Sequence, residues 1–342
     1  MTATRTTDPA PFVPARFLRG PHAQTVYAAL LRRPEPLAAR RERIELACGD
    51  FLDVDVVAAK PGSPWVLVLH GLEGSSEAPY MRGIGRALAA RGIEACLLNY
   101  RGCSGVPNRL PRSYHSGETK DVLDAFTHLA RTRGGRPCGL VGFSIGANLT
   151  MKLLGELGPA APPFELAVAV SPPFDLERCA RHLDGLGRLV YRERLLMTLR
   201  AKALAKIEKF PGLGAARDVR NARTFFDFDE RFTAPVHGFA NAHDYWERSS
   251  GGRYLKGVAR DLLIISAADD PFFPEGYVPE DLISRKTGPL ELVLAPGGGH
   301  VGFVTGSAFS PRFWAEELAV ERLARAFAAR VSPVRAEVSS ST

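Results

Sequence analysis

The run Val141-Gly142-Phe143-Ser144-Ile145-Gly146-Ala147 holds a serine between two glycines in the spacing G-x-S-x-G. A serine hydroxyl attacks a carbonyl only when a base takes its proton. The flanking glycines suit a tight strand-to-helix turn, because side chains two residues either side of a strained serine must be nearly absent. The short pattern is weak alone. Its setting strengthens it: an apolar strand-like run precedes Ser144 and a helical pattern follows, putting the hydroxyl at the positive end of a helix.

A serine nucleophile needs a base, an orienting acid and donors for an oxyanion. The base candidate is His300, in the loop Gly297-Gly298-Gly299-His300-Val301-Gly302-Phe303. The other histidines read as solvated or structural. The acid candidates, Asp269 and Asp270, follow the apolar run Leu262–Ser266. The spacing D-x-x-x-P to Pro274 selects Asp270 and leaves Asp269 as a loop cap or solvated neighbour. An oxyanion hole needs two fixed N–H dipoles. One is the amide after the nucleophile, Ile145; the other is assigned to Leu72 in His70-Gly71-Leu72-Glu73-Gly74-Ser75-Ser76. His70, at a strand end, is expected to hydrogen-bond this loop into shape.

The elements that must position these residues are legible as alternating patterns. Trp65–His70, Ile93–Asn99, Cys138–Gly142, Leu166–Ser171, Asp261–Ser266 and Leu290–Ala295 are strand-length apolar runs, as in a parallel sheet covered on both faces. Pro79–Ala90, Glu118–Thr132, a segment from Ser144 and Trp314–Ala329 are helix candidates; Arg43–Ala47 and Leu52–Ala58 suggest a hairpin. This rhythm predicts a doubly wound α/β fold. It breaks between residues 172 and 257, expected to be a helical cap inserted between two strands, with a basic helical piece Tyr191–Phe210 and an aromatic loop Phe225–Phe228. Residues 332–342 read as a disordered tail. Ser144 precedes the break and Asp270 and His300 follow it, so one domain, 1–342, carries the site and the cap.

The 342-residue chain has 44 Lys+Arg against 37 Asp+Glu, a formal charge of +7 that raises nucleic acid as a partner. The arginines are spread over helix faces beside acidic residues, so no nucleic-acid partner is expected. Arg192, Arg194, Arg200, Lys202, Lys206 and Lys209 read foremost as a solvated face; the accompanying leucines suggest weak peripheral attachment to an anionic lipid surface as the sharper alternative. No P-loop or dinucleotide fingerprint occurs, nor His/Cys spacing suited to a metal, so no cofactor and no metal are expected. Scattered cysteines and a polar start lacking an apolar leader point to a cytoplasmic protein.

Beyond the triad, the sequence resembles the YheT-like branch of the α/β-hydrolases, which includes lipid-ester hydrolases and ethyl-ester synthases. The resemblance rests on Phe17-Leu18-Arg19-Gly20-Pro21-His22-Ala23-Gln24-Thr25, the His70–Gly74 loop, Asn99-Tyr100-Arg101-Gly102-Cys103-Ser104-Gly105 and Tyr114-His115-Ser116-Gly117-Glu118-Thr119. Phe232–Phe239, Asp244-Tyr245 and Asp269-Asp270-Pro271-Phe272 extend it; Tyr245-Trp246 departs from an expected pair of tyrosines. It implies an α/β-hydrolase fold and a Ser144–Asp270–His300 triad acting on a small-molecule carboxylic ester; an apolar cleft under the cap makes esters of short to medium acyl chain, or lipid-like esters, the expected substrates. Acyl transfer to an alcohol at the same site, or a non-catalytic hydrolase-fold binding protein, are the rival functions.

Overall fold

Face alternation organises the core of this computed structural model, which describes residues 10–279 and 288–331. The expected tail at 332–342 lies outside the described residues. The strands are β1 (Arg40–Glu45), β2 (Phe51–Val57), β3 (Trp65–Leu69), β4 (Glu94–Asn99), β5 (Cys138–Phe143), β6 (Leu166–Val170), β7 (Leu262–Ala267) and β8 (Leu290–Ala295). They form one sheet in the order β1-β2-β4-β3-β5-β6-β7-β8. β1–β2 and β2–β4 pair antiparallel; the remaining pairs are parallel.

Along β3, Trp65, Leu67 and Leu69 join one apolar layer while Val66 and Val68 join the other. Because both faces are covered, every residue of β3 and β5 is buried, so these strands read as continuous apolar runs. Ahead of the sheet lies α1 (Pro21–Val26); α2 (Pro79–Ala90), α3 (Thr119–Arg133) and α4 (Ile145–Leu157) connect its strands.

From β6 to β7 the chain forms helices α5 (Leu176–Leu183), α6 (Leu189–Lys209), α7 (Ala216–Asn221), α8 (Phe225–Phe228), α9 (Ala234–His237) and α10 (Ala242–Ser249). Residues 225–228, expected as a loop, are helical. Thr224 Oγ1 accepts from Asp227 N–H and the Asp227 carboxylate accepts from Thr224 N–H, a reciprocal cap that satisfies two otherwise orphaned donors.

The basic run on α6 is also not simply a solvated face. Arg192 donates to Asp184 O, Arg200 to Ala222 O, Lys202 to Glu73 and Lys206 to Leu110 O. Arg194 and Lys209 remain exposed. After β8, a small hairpin of β9 (Val304–Ser307) and β10 (Ser310–Phe313) leads into α11 (Trp314–Val331), which packs against α2. No helix among the described residues is long and apolar enough to cross a membrane.

Candidate active site

The chain leaves β3 in opposite directions: β4 lies on one side of it and β5 on the other. Such a reversal opens a crevice at the carboxyl ends of the strands, where ligands of open α/β sheets bind. Leu72 follows β3 and Ser144 follows β5, on the two sides of that crevice.

Ser144 has φ 53° and ψ −116°, a conformation that L-residues avoid and that must be held by its surroundings. Its N–H donates to Val170 O (2.9 Å) and its carbonyl accepts from Asn148 N–H (3.0 Å). The two glycines are sterically required. A Cβ on Gly142 would lie 2.2 Å from Gly146 O, and one on Gly146 would lie 2.4 Å from Leu69 O. Asn148, one turn beyond the serine, is buried and fully used. Its amide donates to Ser116 O and Ser249 O (2.8 Å each) and its Oδ1 accepts from Gly251 N–H (2.7 Å), tying α4 to the helical stretch.

His300, in the loop after β8, brings Nε2 to 2.9 Å from Ser144 Oγ and Nδ1 to 2.8 Å from Asp270 Oδ2. Both His300 and Asp270 are buried. The second oxygen of Asp270 accepts from Phe272 N–H (2.9 Å). With carboxylate oxygens as acceptors only, Asp270 fixes the proton on Nδ1 and leaves the Nε2 lone pair facing the serine. Phe272 stacks on the imidazole at 4.0 Å and 7°, and Phe273 meets it edge-on at 5.3 Å.

Asp269, the competing acid, accepts from Gly299 N–H (2.9 Å); burial, followed by the neighbouring Asp270 charge, raises its pKa. Of the two roles expected for Asp269, loop cap or solvated neighbour, its contact with Gly299 N–H is that of a loop cap.

Ile145 N–H is the first amide of α4, so it has no intrahelical acceptor. The Leu72 loop comes close: a Cβ on Gly71 would be 3.1 Å from Ser144 Cβ. Tyr80 OH accepts from Gly71 N–H (2.8 Å). His70 is wholly buried, with Nδ1 at 2.7 Å from Gly71 O and Nε2 at 3.3 Å from Tyr100 N; burial pulls its pKa down to about 3. It is a neutral strut for this loop rather than a base. Glu73, held at φ 56°, exchanges two hydrogen bonds with Tyr114 OH and pairs with Lys202 of α6.

Two residues absent from the sequence reading of the site also touch the base loop: Thr25 accepts from His300 N–H (2.9 Å) and Ser171 from Val301 N–H (3.2 Å). Ser171 ends the strand-like run Leu166–Ser171, and Ser144 and the aspartates lie just past the ends of theirs, so strand-end position is its available signal. Thr25 lies in the Phe17–Thr25 motif, far along the chain from the strand-like runs whose ends locate the site. Among the described residues, no group of three or more His, Cys, Asp or Glu is placed to hold a metal ion.

A serine, a histidine and an aspartate aligned above the carboxyl ends of a largely parallel sheet define the hydrolase class of α/β proteins. The chain belongs to the α/β hydrolase fold family, whose profile matches residues 64–307. It is 38% identical to YheT of Escherichia coli (strain K12), which bears an esterase name, over 90% of this chain and 91% of that protein. Monoacylglycerol lipase of Saccharomyces cerevisiae is 31% identical over 75% of this chain and 58% of its own length. Among solved structures, Est1E of Butyrivibrio proteoclasticus, with ferulic acid bound, has the same fold: TM-score 0.51 and 13% identity over 85% of this chain and 99% of that one.

Proposed function

We propose that this protein hydrolyses carboxylic esters of short to medium acyl chain, or lipid-like esters, by two-step acyl transfer through Ser144. The observation that carries the reading is the continuous relay from Ser144 Oγ to His300 Nε2 (2.9 Å) and from His300 Nδ1 to Asp270 Oδ2 (2.8 Å). His300 takes the hydroxyl proton as Oγ attacks the ester carbonyl, and Asp270 stabilises the imidazolium that forms. The Leu72 and Ile145 amides receive the tetrahedral oxyanion. Collapse expels the alcohol, which leaves with the proton from His300; water then enters by the same route and releases the acid.

The ester class is supported by the esterase and acylglycerol-lipase names of the relatives. The acyl preference is supported by the apolar and aromatic groups beside the base, with Phe272 and Phe273 against His300 and Tyr191 of α6 packed on Phe272 at 4.9 Å. In this reading, helices α5–α10 act as a cap that shapes the acyl pocket.

Purified protein assayed on p-nitrophenyl esters of graded chain length tests it. The expected result is hydrolysis with a maximum beyond acetate, lowered by about 10⁴–10⁶-fold in kcat by Ser144→Ala. Activity on acetate alone would contradict the acyl preference, and retained activity in Ser144→Ala would contradict the nucleophile.

A further inference from the structure

Three successive amides of the base loop each donate to a side-chain oxygen, and the oxygens come from three separate parts of the fold. Gly299 N–H reaches Asp269 Oδ1 (2.9 Å) after β7, His300 N–H reaches Thr25 Oγ1 (2.9 Å) on α1, and Val301 N–H reaches Ser171 Oγ (3.2 Å) after β6. The loop does not hold its shape by local preference: Val301 and Phe303 sit at φ 54° and 45°. Non-glycine residues persist there only when the surroundings over-determine them.

Of the three anchors, Thr25 alone bonds the backbone of the base itself, and it lies outside the profile-matched residues 64–307. Its hydroxyl donates to Pro21 O (2.8 Å), so the hydrogen is committed and a lone pair is left for His300 N–H. The fit is close: a Cβ on Gly299 would fall 2.3 Å from Pro21 O and 2.6 Å from Thr25 Oγ1. The preceding residue fixes the far end of the same loop. Gln24 Nε2 donates to Leu18 O (2.7 Å) and Val304 O (3.0 Å), while Gln24 Oε1 accepts from Val304 N–H (2.6 Å).

We propose that Thr25 is a positioning residue for the base, setting the imidazole of His300 between Ser144 and Asp270 through the His300 amide. It touches no reacting atom. This inference rests on the ester-hydrolase reading above and adds a role for the Phe17–Thr25 motif within it. A rigid anchor of this kind matters because a displacement of about 1 Å at a catalytic group can lower the rate about 100-fold.

The test compares Thr25→Val, which keeps the shape and loses the acceptor, with Thr25→Ser, which keeps the acceptor. Ester hydrolysis, thermal unfolding and the down-field proton NMR signal of the His300–Asp270 hydrogen bond are read for each. Thr25→Val is expected to lose about 10–100-fold in kcat with KM within about twofold, and to weaken or broaden the NMR signal. Thr25→Ser is expected within about threefold of wild type. Should Thr25→Val fail to fold, Thr25→Ala, which adds no bulk, takes its place with the same expectation.

Wild-type kcat in the acceptor-less variant overturns the proposal, as does equal loss in Thr25→Ser or a loss confined to KM. An active wild-type enzyme beside a fully active Thr25→Val overturns only the positioning role. A wild-type protein with no ester hydrolysis and an unreactive Ser144 overturns the functional reading and this inference together.

Discussion

At the residue scale, two adjacent aspartates show how position separates identical chemistry. Asp270 has one oxygen on His300 Nδ1 and the other on Phe272 N–H, whereas Asp269 spends its contact on the Gly299 amide. In Asp270→Asn the amide oxygen stays on Phe272 N–H and the NH2 donor faces Nδ1, which favours the wrong tautomer. About a 10⁴-fold fall in kcat is expected, as for the equivalent change in a Ser-His-Asp protease. Asp269→Asn keeps an oxygen for Gly299 N–H, so it should cost less than about 10-fold. Steady-state kinetics of the two variants decides; a larger loss for Asp269→Asn would reverse the assignment of the acid. His70, by contrast, is a histidine at a strand end that does no acid–base work, because burial keeps it neutral between two backbone groups.

Among the elements, the helical stretch between β6 and β7 holds a half-buried aspartate between α8 and α9, with its carboxyl shielded from water. Asp229 accepts the indole N–H of Trp246 on α10 (2.8 Å). Burial, despite hydrogen bonds from Thr233 and Trp246 and with Asp184 nearby, pushes its pKa up to about 7. A folded-state value above the unfolded one means that the protonated form favours folding. That contribution is complete below the unfolded pKa of about 4 and is lost as pH rises toward about 7. Asp229→Asn retains an acceptor for the indole and cannot ionise. Its melting temperature should therefore gain on wild type between about pH 5 and about pH 8. Parallel pH curves for the two proteins would contradict this. Trp246 is the position where the chain departs from the expected tyrosine pair, and the indole N–H is what meets the acid.

Across the whole molecule, the sheet and the site were legible for the same reason. Strands buried on both faces must be apolar throughout, so Trp65–Leu69 and Leu262–Ala267 stand out in the chain and their ends locate Leu72 and Asp270. What was not legible depends on long-range contacts to backbone groups, which impose no residue-type pattern. Thr25 meets His300 across 275 residues, and any short hydroxyl would serve the amide. The β9–β10 hairpin has no apolar alternation to announce it, since Gly306 and Pro311 face each other in its register. Helix α8 was missed differently: its signal, T-x-x-D at Thr224 and Asp227, was present and the cluster of phenylalanines obscured it. The inward-turned lysines of α6 depended on Glu73 and Leu110, which no helix periodicity can indicate.

The proposed activation of Ser144 as a nucleophile is read by active-site labelling with a fluorophosphonate probe followed by peptide mass spectrometry. The expected result is one adduct on Ser144 in the folded wild-type protein, absent in Ser144→Ala and slowed when Asp270 is changed to Asn. A folded protein that gives no adduct, or gives one on another residue, contradicts it.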